Sequence, residues 1–202
     1  MPQIPPETLV ALALFALVSS ITPGPNNAML LASGANFGLR RTLPHMAGVS
    51  AGFFVVIVAA GLLLGGLFAA VPQLHGVLKV VGGAYLLYLA WKIATSKPAA
   101  GEAQARPQTF WQAAAFQWVN PKAVAMALSA VTTYAPAQGY AANVMLVAAV
   151  FTLINLPCIA SWAGFGVALR GLLARPGWLK AFNWTMAALL VLSLVPAFLD
   201  GG

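Results

Sequence analysis

Charged residues are scarce in this chain, and acidic residues are the scarcest of them. Only 6% of the 202 residues are charged and 61% are hydrophobic, whereas about a quarter of the residues in a soluble domain are charged. A chain of this composition cannot cover a water-facing surface, which excludes an ordinary soluble protein. The length fits a single domain, and the composition predicts an all-α membrane protein.

Cysteine and histidine are nearly absent as well. The single cysteine, Cys158, excludes an intrachain disulfide and a cysteine-based metal cluster. His45 and His75 are far apart and have no neighbouring carboxylate or cysteine, so we expect no metal site and no cofactor. The net charge of +7 comes from basic residues scattered over short connections. Because they form no dense patch, we expect no nucleic-acid partner.

Long apolar runs account for most of the sequence. A helix needs roughly 20 apolar residues to cross the hydrocarbon core of a bilayer, and six segments meet that length, which predicts six transmembrane helices in a single transporter domain spanning 1–202. Only one connection, Ser96–Gln108, has a soluble composition, and it separates two halves of three segments each, about 1–97 and 108–202, with a cytoplasmic linker at 98–107. The segments are 7–32, 43–70, 74–95, 109–133, 140–169 and 178–199.

Lysine and arginine are distributed unevenly over the connections. Most lie around the first, third and fifth connections, and the second and fourth contain none. Because positive residues favour cytoplasmic loops, this bias predicts that both termini lie outside the cytoplasm. With three crossings per half, the second half enters the membrane from the opposite side to the first. Any relation between the halves is then an inverted repeat, as in many secondary transporters.

The first segment of the first half is interrupted within its apolar run, at 22–27. Pro23 and Pro25 have no backbone N–H, so the carbonyls of Ser19 and Ile21 lose their usual helical partners. In lipid such a break requires protein or water around it. It could be an ordinary kink, since proline and glycine are frequent in membrane helices.

The first segment of the second half has a matching interruption at 117–122. Asn120 and Pro121 form a good helix start, with asparagine at the cap and proline at the first position. Interrupted helices at matching positions of two halves are the best indication in a sequence of a transporter's binding site. We therefore predict that the two breaks together bind a substrate.

Lys122 is the residue most difficult to explain as purely structural. A lysine at the bilayer centre costs roughly 2.5–3.5 kcal/mol on insertion scales, and no acidic residue is near it in the sequence. One interpretation is that its side chain extends to the membrane interface. The other is that Lys122 and the helix N-terminus form a pocket for an anion, such as the carboxylate of an amino acid.

Polar side chains near the breaks complete the predicted site. Ser19, Thr22 and Asn26 have the spacing of one helix face, as do Thr152 and Asn155 on segment five; hydrogen bonding between helices would explain them equally well. With no carboxylate at membrane depth to bind a second positive charge, we expect a neutral zwitterion. The predicted substrate-binding residues are Thr22, Pro23, Gly24, Pro25, Asn26, Asn27, Gln117, Asn120, Pro121, Lys122 and Asn155.

Glycines on the second segment form two pairs with helical spacing, Gly48 with Gly52 and Gly61 with Gly65. Small residues four apart allow helices to approach closely. The two pairs point in different directions around the helix. One pair could therefore pack within the chain and the other against a second copy, which would make a homodimer.

These motifs resemble the LysE/RhtB family of bacterial amino acid exporters over essentially the whole chain. The residues that are most similar to the cysteine/O-acetylserine exporter branch are 25–27, 89–96 and 110–111. Thr42 and residues 126–128 depart from the common family pattern. The residues that carry the family resemblance are Thr22, Pro23, Gly24, Pro25, Asn26, Gly38, Arg41, Gly48, Gly52, Gly61, 82–89, Phe110, Gln117, Asn120, Pro121 and Lys122.

The resemblance implies a multi-pass protein of the bacterial inner membrane that exports a neutral amino acid or derivative in exchange for protons. The substrate would be of the homoserine, threonine and leucine type or of the cysteine and O-acetylserine type. Lys122 or His45 could carry the proton. A membrane-integral enzyme is the less favoured alternative because the sequence has no cluster of Asp, Glu, His or Cys. A channel would more naturally line its pore with rings of like groups.

Overall fold

The computed structural model describes residues 4–64, 73–95, 106–173 and 175–192. All regular secondary structure in those residues is helical. The third helix continues as a π-helical stretch, Ala60–Leu64. The helices are α1 (Pro6–Ile21), α2 (Pro25–Phe37), α3 (Leu39–Ala59), α4 (Gln73–Ala94), α5 (Phe110–Val119), α6 (Pro121–Tyr134), α7 (Tyr140–Ala168), α8 (Arg170–Leu173) and α9 (Pro176–Leu192).

Each of the six predicted apolar segments is mostly helical where the structure describes it, and the non-helical residues are 22–24, Asn120 and single residues at segment ends. Within the residues that the structure describes, two helices, Leu39–Leu63 and Tyr140–Ala168, are long and apolar enough to cross a membrane. A third span results if α1 and α2, which meet at 55°, are counted as one broken crossing. The count of six crossings stays a prediction. Three predicted features lie partly outside the described residues: the end of the second segment at 65–70, which includes Gly65, the end of the sixth segment at 193–199, and most of the linker at 98–107.

Both predicted interruptions are breaks in the helices. α1 ends at Ile21 and α2 begins at Pro25, with Gly24 fully extended between them. α5 ends at Val119, and Asn120 is extended because a residue before proline avoids the helical conformation. The side chain of Asn120 accepts a hydrogen bond from the Lys122 N–H at 3.2 Å. The predicted asparagine cap and proline start are therefore confirmed.

The contacts between helices fix their relative directions. α1 and α7 run in the same direction, since Phe15 packs edge-on against the ring of Phe151 and, further along both helices, Ser20 bonds Asn155. α1 and α6 run in opposite directions. The start of α6 lies at the end of α1, through Lys122 and Thr22, and the end of α6 lies beside Phe15, through Tyr134.

The long helices α3 and α7 also run in opposite directions. Phe53 packs edge-on against Phe151 with ring centroids 5.1 Å apart, and the later residue Gly61 lies against the earlier residue Val144. Helices α1, α3, α6 and α7 thus surround one apolar core. Its fully buried members include Leu12, Val56, Ile57, Ala127, Val147 and Phe151.

Glycines allow the closest helix contacts. A β-carbon at Gly48 would lie 2.2 Å from the Phe110 carbonyl oxygen, and one at Gly52 would lie 2.6 Å from Ala114 Cα. The predicted packing of this glycine pair within the chain is therefore confirmed, and it shows that α3 and α5 run in the same direction. Gly61, from the second pair, also packs within the chain, against Val144.

Candidate functional site

The two helix breaks meet, and Lys122 joins them. Its ammonium nitrogen is 2.9 Å from the carbonyl oxygen of Thr22, 2.9 Å from the Thr22 hydroxyl oxygen and 3.2 Å from the carbonyl oxygen of Pro23. A lysine ammonium has three hydrogens to donate, so each of them has an acceptor at the first break. These partners are about a hundred positions away in the sequence, and the sequence analysis did not predict them.

The position of the ammonium is electrostatically favourable. Lys122 lies in the first turn of α6, where the positive end of the helix dipole disfavours a cation. Its side chain instead reaches the C-terminal end of α1, where unpaired carbonyls make the dipole negative. Of the acidic residues, only Glu7 falls within the described part of the chain, and it is exposed in the first turn of α1. The carbonyl oxygens of Thr22 and Pro23, at the end of α1, therefore stabilise the ammonium in place of a nearby acidic side chain.

Side chains from α2 and α7, together with that of Thr22 between α1 and α2, satisfy carbonyls at the first break. Asn27 donates through its Nδ2 to the carbonyls of Ser20 and Thr22, each at 2.8 Å. The indole N–H of Trp162, on α7, donates to the carbonyl of Ile21 at 3.1 Å. The Thr22 hydroxyl donates to the Ser19 carbonyl at 2.9 Å. The break is thus held in place by protein groups, as lipid requires.

A pair of amide side chains forms a second connection between the breaks. Asn26 donates to Gln117 Oε1 at 2.8 Å, and Gln117 donates back to Asn26 Oδ1 at 3.1 Å. Gln117 is fully buried and also donates to the Ala113 carbonyl in its own helix. Because both amides are bonded to each other, Gln117 holds α2 in place and contributes no wall to the cavity described next.

A cavity of about 30 Å³ lies between the breaks. A water needs roughly 10–15 Å³, so the cavity, which is partly open, has room for about two waters. Of the predicted residues, Gly24, Pro25, Asn26, Asn27, Asn120, Lys122 and Asn155 line it, and Thr22, Pro23, Gln117 and Pro121 do not. The other lining residues, which the sequence analysis did not include among the binding residues, are Ser19, Ser20, Phe53, Ala123 and Met126.

One detail of the predicted site is wrong. Ser19, Thr22 and Asn26 do not share a helix face, because the chain leaves the helix after Ile21 and resumes it only at Pro25. Ser20 was missed, although its carbonyl accepts a hydrogen bond from Asn27. Helical spacing could not predict this contact, because the chain leaves the helix between these two residues. Phe53, on α3, carried no signal, since nothing in the sequence separates it from other apolar core residues.

Comparison with known proteins places this arrangement in a family. A family model described as LysE type translocator matches residues 17–195. This chain belongs to the LysE family. The match covers both helix breaks and all the cavity-lining residues, so the geometry above is that of a LysE family member. No solved structure matches the chain significantly.

Curated relatives of this LysE family member align over nearly their whole length. A protein from Klebsiella pneumoniae is 35% identical over 92% of this chain and 94% of its own. Relatives from Salmonella typhimurium and Escherichia coli K12 are 34% and 32% identical, each over 96% of this chain and 98% of their own. All three are named cysteine/O-acetylserine efflux protein. The apolar helices and the membership of the LysE family together identify the chain as a membrane transport protein.

Proposed function

We propose that this protein is a secondary transporter that exports a neutral amino acid or derivative from the cytoplasm, of the type that its relatives' names specify, cysteine or O-acetylserine. The homoserine, threonine and leucine type is the other candidate. We assign the substrate site to Thr22, Pro23, Gly24, Pro25, Asn26, Asn27, Gln117, Asn120, Pro121, Lys122 and Asn155, with Ser20 added because it lines the cavity. Of these, Thr22, Pro23, Gln117 and Pro121 do not line the cavity and would act by holding the lining residues in place.

The observation that supports this proposal best is the contact between Lys122 and the first break. A cation at the meeting point of two broken helices is a binding group for a carboxylate. The first turns of α2 and α6 line the same cavity, and helix N-termini favour anions. A carboxylate entering the cavity would compete with the carbonyls of Thr22 and Pro23 for the ammonium hydrogens.

The charge of the cavity favours a zwitterionic substrate. Lys122 is the only ionisable side chain among the lining residues, and the other polar ones are serine and asparagine. A substrate with one carboxylate therefore leaves the site neutral, whereas lysine or arginine as substrate would bring a second positive charge with no acid to balance it. This supports a neutral amino acid.

The helix directions support an inverted repeat. α1 runs opposite to α6, and α3 runs opposite to α7, so the first two helical segments of one half run opposite to their counterparts in the other half. The broken helices of each half also pack against the second segment of the other half, α2 on α7 and α5 on α3. The third segments, α4 and α9, pack against each other. A two-fold relation between the halves would produce this exchange.

We further propose alternating access between the two halves. Because Lys122 and the Asn26–Gln117 pair hold the two breaks together, we expect the half-helices to separate during transport. The same proposal includes exchange of the substrate for protons. It also includes six membrane crossings, with both termini outside the cytoplasm and the linker inside it.

His45 is a candidate proton carrier because it is 2% exposed and neither of its ring nitrogens has a hydrogen-bond partner in the structure. A homodimer stays a prediction.

The experiment that tests the proposal is uptake into inverted membrane vesicles that contain the protein. Labelled cysteine, O-acetylserine, homoserine, threonine, leucine and lysine are offered with and without a pH gradient that is acidic inside. We expect saturable uptake of one or more neutral amino acids, increased by the gradient and abolished by a protonophore. No uptake above vesicles without the protein would contradict the proposal. Uptake that never saturates would indicate a channel.

A further inference from the structure

One buried oxygen in the cavity wall has no partner. Asn155, on α7, lines the cavity and is 6% exposed. Its Nδ2 donates to the Ser20 hydroxyl oxygen at 3.1 Å, and its Oδ1 has no hydrogen-bond partner. Leaving a buried acceptor unpaired costs free energy. Because Asn155 lines the cavity, a donor that enters the cavity is a candidate partner for this oxygen.

The surroundings of this oxygen favour a positively charged donor. Ser20, which holds the Asn155 amide, lies in the last turn of α1 and is 3% exposed. The C-terminal end of a helix carries partial negative charge and stabilises cations. The first turns of α2 and α6, in contrast, provide partial positive charge and Lys122 to the same cavity. The Lys122 ammonium already lies against the Thr22 and Pro23 carbonyls at the C-terminal end of α1, so a second cation in the cavity would need the Asn155 oxygen as its acceptor.

We propose that Asn155 Oδ1 accepts a hydrogen bond from the α-ammonium group of the exported amino acid, while its carboxylate binds Lys122. This inference rests on the proposed function and adds the orientation of the substrate. It assigns to the site a requirement for a free α-amino group. An N-acetylated amino acid lacks that charge and is larger at that position, so it would not be exported.

The chemistry of its side-chain amide gives Asn155 a specific energetic role. A hydrogen bond between an ionised donor and an acceptor is stronger than one between neutral groups. An amide oxygen carries no net charge, so it can orient an ammonium group without the strong ion pair that would slow release. Asn155 would therefore discriminate between substrates with and without an amino group, and it would not contribute to binding of the carboxylate.

The test compares the wild-type protein with Asn155→Leu, which keeps the branched shape and removes the polar atoms. Cysteine uptake is measured in inverted vesicles, with two competitors: 3-mercaptopropionate, which lacks the amino group, and cysteamine, which lacks the carboxylate. We expect the KM for cysteine to rise by about tenfold or more, as for loss of a hydrogen bond to a charged group. Inhibition by 3-mercaptopropionate should be unchanged and inhibition by cysteamine should be lost.

A matched control is Ser161→Ala, on the same helix, whose hydroxyl bonds the Cys158 carbonyl and does not line the cavity. Its transport should equal that of the wild type. An unchanged KM in Asn155→Leu would overturn the inference and would indicate that water alone meets Oδ1. Equal loss of inhibition by both competitors would also overturn it, because a general structural defect would affect both.

A second variant covers the case in which Asn155→Leu does not fold. Asn155→Asp keeps the size of the side chain and adds a negative charge. We expect it to bind cysteamine more tightly than the wild type, and unchanged or weaker inhibition by cysteamine would contradict the inference. Failure of the proposed function is recognised separately, because then the wild-type protein itself transports no amino acid.

Discussion

The side chain of Lys122 passes directly over the backbone of Gly24. A β-carbon at Gly24 would lie 2.8 Å from Lys122 Cδ and 3.0 Å from Lys122 Nζ. The glycine thus provides the space through which the lysine of one half reaches the α1 carbonyls of the other. Gly24 is in extended conformation, so the need for glycine here is the space above it and not its backbone angle.

We therefore expect Gly24→Ala to displace the Lys122 ammonium from Thr22 and Pro23. Transport should fall by about tenfold to a hundredfold, the loss expected when hydrogen bonds to one charged group are removed. Uptake into inverted vesicles measures this. Gly164→Ala is the control because a β-carbon at Gly164 has nothing within 4 Å. Normal transport by Gly24→Ala would show that the position of Lys122 is not critical.

Removal of the ammonium itself should have the larger effect. We expect Lys122→Ala to abolish export while the protein still reaches the membrane, since the variant keeps the Asn120 cap and the Pro121 start of α6. Lys180→Ala, which changes an exposed lysine of α9, is the control. Export is compared at equal amounts of protein in the membrane. Wild-type export by Lys122→Ala would rule out the role of Lys122 as carboxylate-binding group.

The Asn26–Gln117 pair should contribute to stability as a unit. Each single alanine variant leaves a largely buried amide without its partner, whereas the double variant removes both. We expect a coupling free energy of about 0.5–3 kcal/mol in a double-mutant cycle. Thermal or denaturant unfolding of the purified protein in detergent measures it. Strictly additive effects would mean that the two amides do not stabilise each other in the protein.

The crossing of α2 and α7 should tolerate no added methyl group at Gly166. A β-carbon there would lie 2.1 Å from the Leu31 carbonyl oxygen, which is backbone and cannot move aside. Gly166→Ala should therefore greatly lower the yield of folded protein. Gly164→Ala, two residues earlier on the same helix, should fold at least as well as the wild type. Fluorescence-detected gel filtration compares the two, and equal yields would contradict this packing.

The orientation in the membrane can be tested by cysteine labelling. In a Cys158→Ala background, single cysteines replace Arg41 and Pro136, which lie at the start of α3 and just after α6. A membrane-impermeant thiol reagent added to whole cells should label position 136 and leave position 41 unlabelled until the membrane is opened. The reverse pattern would place both termini inside the cytoplasm.

Local chemistry explains why much of the fold could be predicted. The breaks follow from Pro23, Pro25 and Pro121, which cannot donate a backbone hydrogen bond, and the cap follows from Asn120. These are effects within a few residues of the chain. The helix segments follow from long apolar runs, and the bounds that fall on described residues agree with the structure to within about five residues. Breaks at 22–24 and at Asn120 divide two of the segments.

The contacts between the breaks could not be predicted in the same way. The bonds from Lys122 to Thr22 and from Gln117 to Asn26 join distant parts of the sequence, and they depend on how the helices pack. The same limit explains why the Ser19, Thr22 and Asn26 face was wrong. Helical periodicity applies only along an unbroken helix, and the chain is extended at Gly24.

The small cavity has a consequence for the cell that carries this protein. Hydrogen bonds of Asn26, Gln117 and Lys122 join the two breaks across this cavity, so we expect the idle protein to give dissolved ions no continuous aqueous route past the site. A cell could then keep many idle copies in its membrane without running down its membrane potential. The barrier would open only while cargo is being carried.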